Sequence, residues 1–220
     1  MRREVDLNEI SDGRLYGSND LVKADCGGCT GCSSCCRGMG ASIILDPLDV
    51  CRLSSNLNYT FEGLLRDKLE LNIVDGIILP NLKMAGKEET CVFLNSEGRC
   101  SIHSFRPGIC RLFPLGRFYE NNSFRYFLQT QECPKENRTK VKVKKWLDMP
   151  EIKRYEEFTV KWHYFLIDMQ QKIEESREEE KMKQISMYIL NQFFVRPYDS
   201  EAGFYEEFER RLSAAREELE

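Results

Sequence analysis

The stretch CGGCTGCSSCC, residues 26–36, contains five of the ten cysteines in this chain of 220 residues. Cysteines separated by two residues can direct both sulfur atoms at one metal ion, and the small Gly, Thr and Ser residues between them let the loop curl tightly. The adjacent Cys35 and Cys36 have diverging side chains, which favours two metals or one polynuclear centre over a single tetrahedral ion. The stretch therefore predicts an irregular loop organised by metal.

A second cysteine-rich stretch, CVFLNSEGRCSIHSFRPGICRLFP, covers residues 91–114, and one more cysteine follows at position 133. In this stretch Cys91 and Cys100 bracket a Ser-Glu-Gly turn. We expect eight thiolate ligands in all: Cys29, Cys32, Cys35, Cys36, Cys91, Cys100, Cys110 and Cys133. Eight thiolates suit two four-ligand sites or one larger cluster with bridging sulfurs, whereas a single zinc site would leave four of them unexplained.

Two cysteines and both histidines stand outside this set. Cys26 has ligand spacing to Cys29, but an even number of ligands is reached without it, so its role stays open. Cys51 lies in a helical pattern without a cysteine nearby, and we expect a buried core residue. For His103 a structural hydrogen bond is expected, with metal ligation as the alternative. His163, beside an apolar helical stripe, is expected at a helix surface or interface.

Four arginines lie within four residues of a predicted ligand: Arg37, Arg99, Arg106 and Arg111. A group of anionic thiolates requires positive charge close by. We therefore expect these side chains to lie beside the ligands and to tune the charge and potential of the centre. Arg106 and Arg111 are the two that we assign to the surroundings of the cofactor.

Outside the cysteine loops, the first part of the chain predicts short elements. Asp46 and Thr60 are helix caps, and Asp-Gly or Asn-Asn pairs between apolar runs favour tight hairpin turns. The elements expected are helices over residues 47–54 and 60–69, and hairpins that turn at Asp75-Gly76 and Asn121-Asn122.

The second part of the chain is charged and helical. VKVKKWLD predicts a short helix, and a longer one begins at Pro150, with apolar residues from Ile152 to Ile173 on one face. EESREEEKMK is expected to be a solvated helix junction. We expect an α+β fold in which a small, irregular, metal-stapled cysteine-rich unit with short hairpins packs against C-terminal helices. The predicted division is a cysteine-cluster metal-binding domain at 1–136 and a helical extension at 137–220.

Composition excludes several classes of protein. The chain has 32 Lys and Arg against 36 Asp and Glu, a net charge of −4, so it has no global positive field for nucleic acid. No stretch approaches the roughly 20 apolar residues of a membrane-spanning helix, and no apolar signal segment follows the charged start. We expect a cytoplasmic protein without nucleic-acid or membrane partners, and leave an unidentified protein partner open. In a reducing compartment, ten cysteines favour metal ligation over disulfides.

The cysteine motifs resemble those of the YkgJ-type cysteine-cluster family, which is described as a zinc- or iron-chelating domain. The resemblance covers residues 24–136 and implies metal binding. The matching segments are CxxCxxCC at 29–36, a DxxRL-like helix at 49–53, CxFL at 91–94, GRCSI at 98–102 and RPxxCRxFP at 106–114. Some relatives, the flagellin lysine methylases, carry the cluster within a larger enzyme. Here the sequence shows no glycine-rich nucleotide loop, so methyl transfer rests on analogy alone.

Three hypotheses follow. The first is a protein that holds iron-sulfur clusters through eight thiolates for redox, sensing or cluster-assisted chemistry. The second is a structural or interaction module organised by Zn2+, in which the metal replaces a core that the Gly-rich first part cannot build. The third is a protein-modifying enzyme similar to the lysine N-methylases, and whether the chain is an enzyme at all stays open.

Overall fold

The computed structural model describes residues 6–27, 32–201 and 203–219. Within these residues, helices alternate with short strands. The helices are α1 (Leu7–Ile10), α2 (Pro47–Leu57), α3 (Phe61–Asp67), α4 (Gly108–Leu112), α5 (Val143–Leu147), α6 (Ile152–Ser176), α7 (Glu179–Leu190) and α8 (Phe204–Leu219). Two 3₁₀ turns, Ser34–Cys36 and His103–Phe105, and a π-helical turn, Asn191–Val195, complete the helical elements of the described chain.

The strands form small antiparallel pairs and no extended sheet within the described residues. They are β1 (Leu21–Asp25), β2 (Leu69–Val74), β3 (Ile77–Leu82), β4 (Met84–Ala85), β5 (Thr90–Cys91), β6 (Leu115–Glu120), β7 (Ser123–Leu128) and β8 (Thr139–Lys142). β1 pairs with β8, β2 with β3, β4 with β5 and β6 with β7. This mixture of helices and short hairpins confirms the α+β prediction.

Helix α2 begins where its cap was predicted. The Asp46 carboxylate accepts a hydrogen bond from the Asp49 backbone N–H at 2.9 Å, and the Asp49 carboxylate accepts one from the Asp46 backbone N–H at 3.3 Å. This reciprocal capping box satisfies two amides that a helix start otherwise leaves unpaired. The helix continues three residues beyond the predicted end, to Leu57, and Asn58 stops it with a left-handed backbone, φ 56°. Thr60 caps α3 as predicted.

Both predicted hairpin turns are confirmed. Asp75 and Gly76 connect β2 and β3 with φ of 50° and 83°. Asn121 and Asn122 connect β6 and β7 with φ of 51° and 53°. Two consecutive positive φ values belong to the type I′ turn, which Asn, Asp and Gly tolerate best.

The helical part packs directly on the hairpins. The Ile78 backbone N–H in β3 donates to Ser186 Oγ in α7 at 3.2 Å, and the rings of Phe61 and Phe194 lie 6.0 Å apart. One cluster of buried apolar residues includes members from both halves of the chain. The pairing of β1 with β8 also joins the two sides of residue 136, and the sequence did not indicate this pairing. The proposed domain division at residue 136 stays a prediction.

An aromatic core holds the C-terminal helices together. The predicted apolar face of α6 is buried, and Phe158 and Trp162 contact Phe208 of α8 and Phe193 at centroid distances of 4.7 and 5.1 Å respectively. The predicted junction is confirmed, since α6 ends at Ser176 and α7 begins at Glu179. Among the helices described, none has both the length and the apolar composition needed to cross a bilayer.

We predict that Asp49→Ala lowers the free energy of unfolding by about 2 kcal/mol, because it removes one arm of the capping box and leaves the buried Gly108 N–H without its acceptor. Urea denaturation followed by circular dichroism measures the change. Glu62→Ala, at an exposed first-turn position of α3, is the control and should change stability little. Equal stability of the two variants would contradict the role given to Asp49.

Candidate metal centre

The CxxCxxCC loop is attached to β5. The Gly38 N–H donates to the Glu89 carbonyl at 3.1 Å, and Arg37 forms an isolated bridge with Thr90. The Arg37 side chain donates to Glu88 at 2.8 Å and to Thr90 Oγ1 at 3.1 Å. These contacts place the turn that carries Cys35 and Cys36 beside the start of β5.

A tight loop returns the chain from Cys91 to Cys100. The Asn95 side-chain oxygen accepts from the Arg99 backbone N–H at 2.8 Å, and the Asn95 N–H donates to the Arg99 carbonyl at 2.9 Å. Gly98 has φ 71°, a conformation that costs glycine little. Because Leu94 then pairs with Cys100, both thiols return to the same side of the structure.

Helix α4 brings Cys110 to the same place. The Asp49 carboxylate accepts a hydrogen bond from the Gly108 N–H at 2.7 Å, which ties the start of α4 to α2. A Cβ at Gly108 would lie 2.2 Å from the Tyr155 hydroxyl, so only glycine fits there. Sequence reasoning missed this contact, because its partners are 59 residues apart; the one available signal was the DxxRL-like motif, whose Asp49 and Arg52 are both buried.

Six thiols border one cavity of about 1200 Å³: the five of Cys35, Cys36, Cys91, Cys100 and Cys110, and that of Cys32. Burial is the main factor that raises the pKa of Cys91, Cys100 and Cys110, and the neighbouring thiols raise it further. The five thiols are therefore close enough to oppose one another's ionisation.

The adjacent thiols of Cys35 and Cys36 have very different pKa values. A hydrogen bond from Cys36 lowers the pKa of Cys35 to about 7, although burial acts in the opposite direction. The same hydrogen bond, followed by burial, raises the pKa of Cys36. Near neutral pH the pair therefore presents one thiolate, the form that binds metal.

Arg106 is the cation that faces the thiols. Its guanidinium lowers the pKa of Cys35 and of Cys100 against the larger effect of burial, and its Nη1 contacts His103 Nε2. Burial, and next Arg106, lowers the pKa of His103, so the imidazole is neutral and accepts this hydrogen bond. The buried Arg106 Nε has no partner within the described chain. A buried donor without an acceptor fits an anionic occupant of the cavity.

The other three arginines have contacts elsewhere. Arg111, 3% exposed, donates to the carbonyls of Asp148 at 2.9 Å, Arg106 at 3.2 Å and Ser104. Arg111 thus holds backbone together, and its expected role beside the ligands stays a prediction. Arg99 belongs to the Asn95 turn, and Arg37 is paired with Glu88 at an exposed position.

The remaining predicted ligands are placed differently. Cys29 lies outside the described residues. Cys133 is partly buried in the irregular segment 130–138 and does not border the cavity. Cys26 is partly buried after β1. Cys51 is buried in α2, where burial, followed by Glu201, raises its pKa to about 11.

In the part of the chain that the structure describes, no three Cys, His, Asp or Glu side chains are positioned to hold one metal ion. The thiols border the cavity without forming a ligand shell. Their chemistry nonetheless fits zinc or iron, because soft sulfur donors are what these metals take in all-cysteine sites. The unpaired Arg106 Nε is consistent with the negative charge of such a centre.

The CxxCxxCC family model, described as a zinc- or iron-chelating domain, matches residues 28–159. The chain belongs to this family. The match contains all eight predicted ligands and continues past residue 136 into α6. It confirms the family resemblance seen in the cysteine motifs and supports a zinc- or iron-chelating, cysteine-rich protein. No curated protein and no solved structure matches the chain.

We predict that Cys36→Ala raises the pKa of Cys35 from about 7 towards the ordinary thiol value of ~8.5, because the variant loses the stabilising hydrogen bond. The measurement is the rate of iodoacetamide alkylation of Cys35 in metal-free protein against pH, read by peptide mass spectrometry. Cys51, with a pKa of about 11, is the internal control and should stay unmodified near pH 7. If the alkylation rate of Cys35 keeps the same dependence on pH in the variant, the hydrogen bond from Cys36 does not set the pKa of Cys35.

Proposed function

We propose that this member of the CxxCxxCC family binds an iron-sulfur centre in the cavity bordered by Cys35, Cys36, Cys91, Cys100 and Cys110. The observation that carries the proposal is the number of thiols on one cavity: five, with Cys32 as a sixth. A tetrahedral zinc ion takes four ligands, and would leave the remaining buried thiols without a role. Bridged centres accommodate more sulfur, and adjacent cysteines suit them.

The electrostatics of the cavity support an anionic occupant. Burial opposes ionisation of Cys91, Cys100 and Cys110, so gathering several thiolates there is costly without positive charge. Metal ions supply that charge when bound, and Arg106 adds one fixed cation whose Nε is unpaired in the described chain. An iron-sulfur centre would supply one-electron chemistry, whose potential depends on burial and nearby charge.

The complete proposed ligand set remains the eight cysteines: Cys29, Cys32, Cys35, Cys36, Cys91, Cys100, Cys110 and Cys133. Cys32, which borders the cavity, lies three residues before Cys35, and Cys29 is outside the described residues. Cys133 follows the end of β7 by five residues, and its neighbours Gln131 and Glu132 border the cavity although Cys133 itself does not. Cys133 is therefore the ligand for which the structure offers the least support.

The deciding experiment is purification of the full chain without oxygen, followed by analysis of iron, zinc and acid-labile sulfide, with Mössbauer spectroscopy for nuclearity. We expect iron and sulfide in comparable amounts and broad absorption in the visible range. Protein that is colourless, contains only zinc and takes up no electrons in a redox titration would overturn the proposal in favour of a zinc-organised module.

We predict that Cys35→Ser and Cys110→Ser each remove most of the bound metal, whereas Cys51→Ser leaves it unchanged. Cys35 and Cys110 border the cavity, while Cys51 lies in α2 beside Glu201 and Arg211. All three substitutions replace a thiol by a hydroxyl of similar size, so Cys51→Ser is the matched control. Metal per chain is measured by plasma mass spectrometry; equal loss in all three variants would contradict the assignment.

We predict that Arg106→Gln and Arg111→Gln have opposite profiles. Arg106→Gln should speed metal release to a chelator severalfold with little effect on unfolding, because its guanidinium faces the thiols. Arg111→Gln should lower the free energy of unfolding by about 3 kcal/mol, because the carbonyls of Asp148 and Ser104 lose the buried guanidinium that donates to them. Chelator kinetics and urea denaturation measure the two effects, and identical profiles would show that the roles are wrongly divided.

A further inference from the structure

Arg117 differs from the other interior arginines in having no carboxylate of the described residues within ion-pair distance. Asp46 acts on it from farther away, and its guanidinium carbon lies 5.5 Å from the ring centroids of Phe124 and Tyr155. Arg52 and Arg111 each have a carboxylate partner, Glu201 at 2.8 Å and Asp148 at 3.6 Å, and Arg211 pairs with Glu207. Arg117, in β6, has no carboxylate at ion-pair distance among the described residues. Its Nη2 donates to the Tyr155 hydroxyl at 2.7 Å, and its Nε has no partner in this part of the chain.

A second unpaired polar atom lies one helical turn from Tyr155. Thr159 is 6% exposed, and its Oγ1 has no hydrogen-bond partner in the described part of the molecule. Residues four apart on a helix share a face, so Thr159 follows Tyr155 towards Trp162. Of five buried side-chain atoms found unpaired in the described residues, three belong to residues of the large cavity: Arg106, Arg117 and Thr159.

Part of the cavity wall is apolar. Trp146, Trp162, Leu115 and Leu166 all border it, and the chain contains only these two tryptophans. A cavity with aromatic and aliphatic walls and a few convergent polar groups is the usual form of a small-molecule site. The thiols border the same cavity, and Tyr155, which accepts from Arg117, packs against Gly108 at the start of the helix that carries Cys110, so a ligand held at Arg117 would share the cavity with the metal centre.

The charges in the cavity restrict the ligand to a single negative charge. Asp46 and Asp49 border the cavity, and burial raises the pKa of both carboxyl groups. Asp46 acts on Arg117 electrostatically without forming an ion pair with it in the described residues, and either carboxylate, when ionised, would repel a dianion. A phosphate ester would therefore bind poorly, whereas a carboxylate needs one cation and two donors, such as a guanidinium and a hydroxyl.

We propose that the cavity binds a small organic carboxylate with an apolar body. Its carboxylate pairs with the guanidinium of Arg117 and the hydroxyl of Thr159, and its alkyl or aryl body lies along Trp146 and Trp162. This inference goes beyond the proposed metal centre, because the groups that bind the carboxylate differ from the thiols and do not depend on which metal they hold.

Octanoate is the probe, and the fluorescence of the two tryptophans is the readout, with isothermal titration calorimetry as the second measurement. We expect saturable binding of octanoate to the full-length protein as purified. Octanol has the same apolar body without the charge, and we expect it to bind at least about tenfold more weakly. Equal binding of octanoate and octanol, or displacement of octanoate by equimolar inorganic phosphate, would overturn the proposal.

Variants test the two polar groups. Arg117→Gln should weaken octanoate binding about tenfold or more, and Thr159→Val, which keeps the side-chain shape, about threefold to tenfold. Arg125→Gln is the matched control, because Arg125 is on the neighbouring strand β7 with a side chain 55% exposed, and it should bind octanoate normally. Unchanged octanoate affinity in folded Thr159→Val and Arg117→Gln proteins would overturn the proposal.

The metal content of the same samples separates this inference from the proposed function. We expect Arg117→Gln and Thr159→Val to keep their metal while losing octanoate affinity. Conversely, Cys110→Ser should lose metal, and retained octanoate binding in that variant would show that the carboxylate site stands on its own. Joint loss of metal and octanoate binding in Thr159→Val would contradict the separation of the two sites.

Discussion

Thiols gathered in a buried cavity resist their own ionisation, and the rest of the site is arranged around that constraint. Burial raises the pKa of Cys91, Cys100 and Cys110, and each thiolate formed makes the next harder to form. Within the described chain several features act in the opposite direction: the hydrogen bond from Cys36 to Cys35, backbone hydrogen bonds at Phe93 and Ile102, and the charge of Arg106. With a pKa of about 7, the Cys35 thiol is about half ionised at neutral pH, and further ligands would be deprotonated as metal binds.

Short-range features of the fold were predictable, because the residues that cause them are neighbours in sequence. The Asp46 cap, the Asp75-Gly76 turn and the Asn121-Asn122 turn each depend on two to four residues. The hydrogen bond from Gly108 to Asp49 joins residues 59 apart, and the pairing of β1 with β8 joins residues as far apart as Leu21 and Lys142. Their sequence signals are too weak to show which distant segment is the partner.

In the candidate site, the sequence likewise could not show which arginine faces the thiols. Arg106 and Arg111 are both four residues or fewer from Cys110, so sequence spacing predicts the same position beside the ligands for both. The helical turn between them points one guanidinium at the thiols and the other at the carbonyls of Ser104 and Asp148. Closeness in sequence limits how far an arginine can lie from a cysteine, but it does not determine where the guanidinium points. The orientation of the guanidinium decides whether the arginine tunes a cofactor or supports a loop.

The unpaired guanidinium nitrogens give the cavity its polarity. Arg106 lies at the thiols and Arg117 at the start of the aromatic wall, and neither has a carboxylate partner within the described residues, unlike Arg52 and Arg211. A buried cation without an ion pair is costly, so an anion bound in the cavity would stabilise both guanidinium groups. At Arg106 that anion would be the thiolate-metal centre. At Arg117 no carboxylate of the described residues lies within ion-pair distance, and the proposed carboxylate ligand would supply the negative charge.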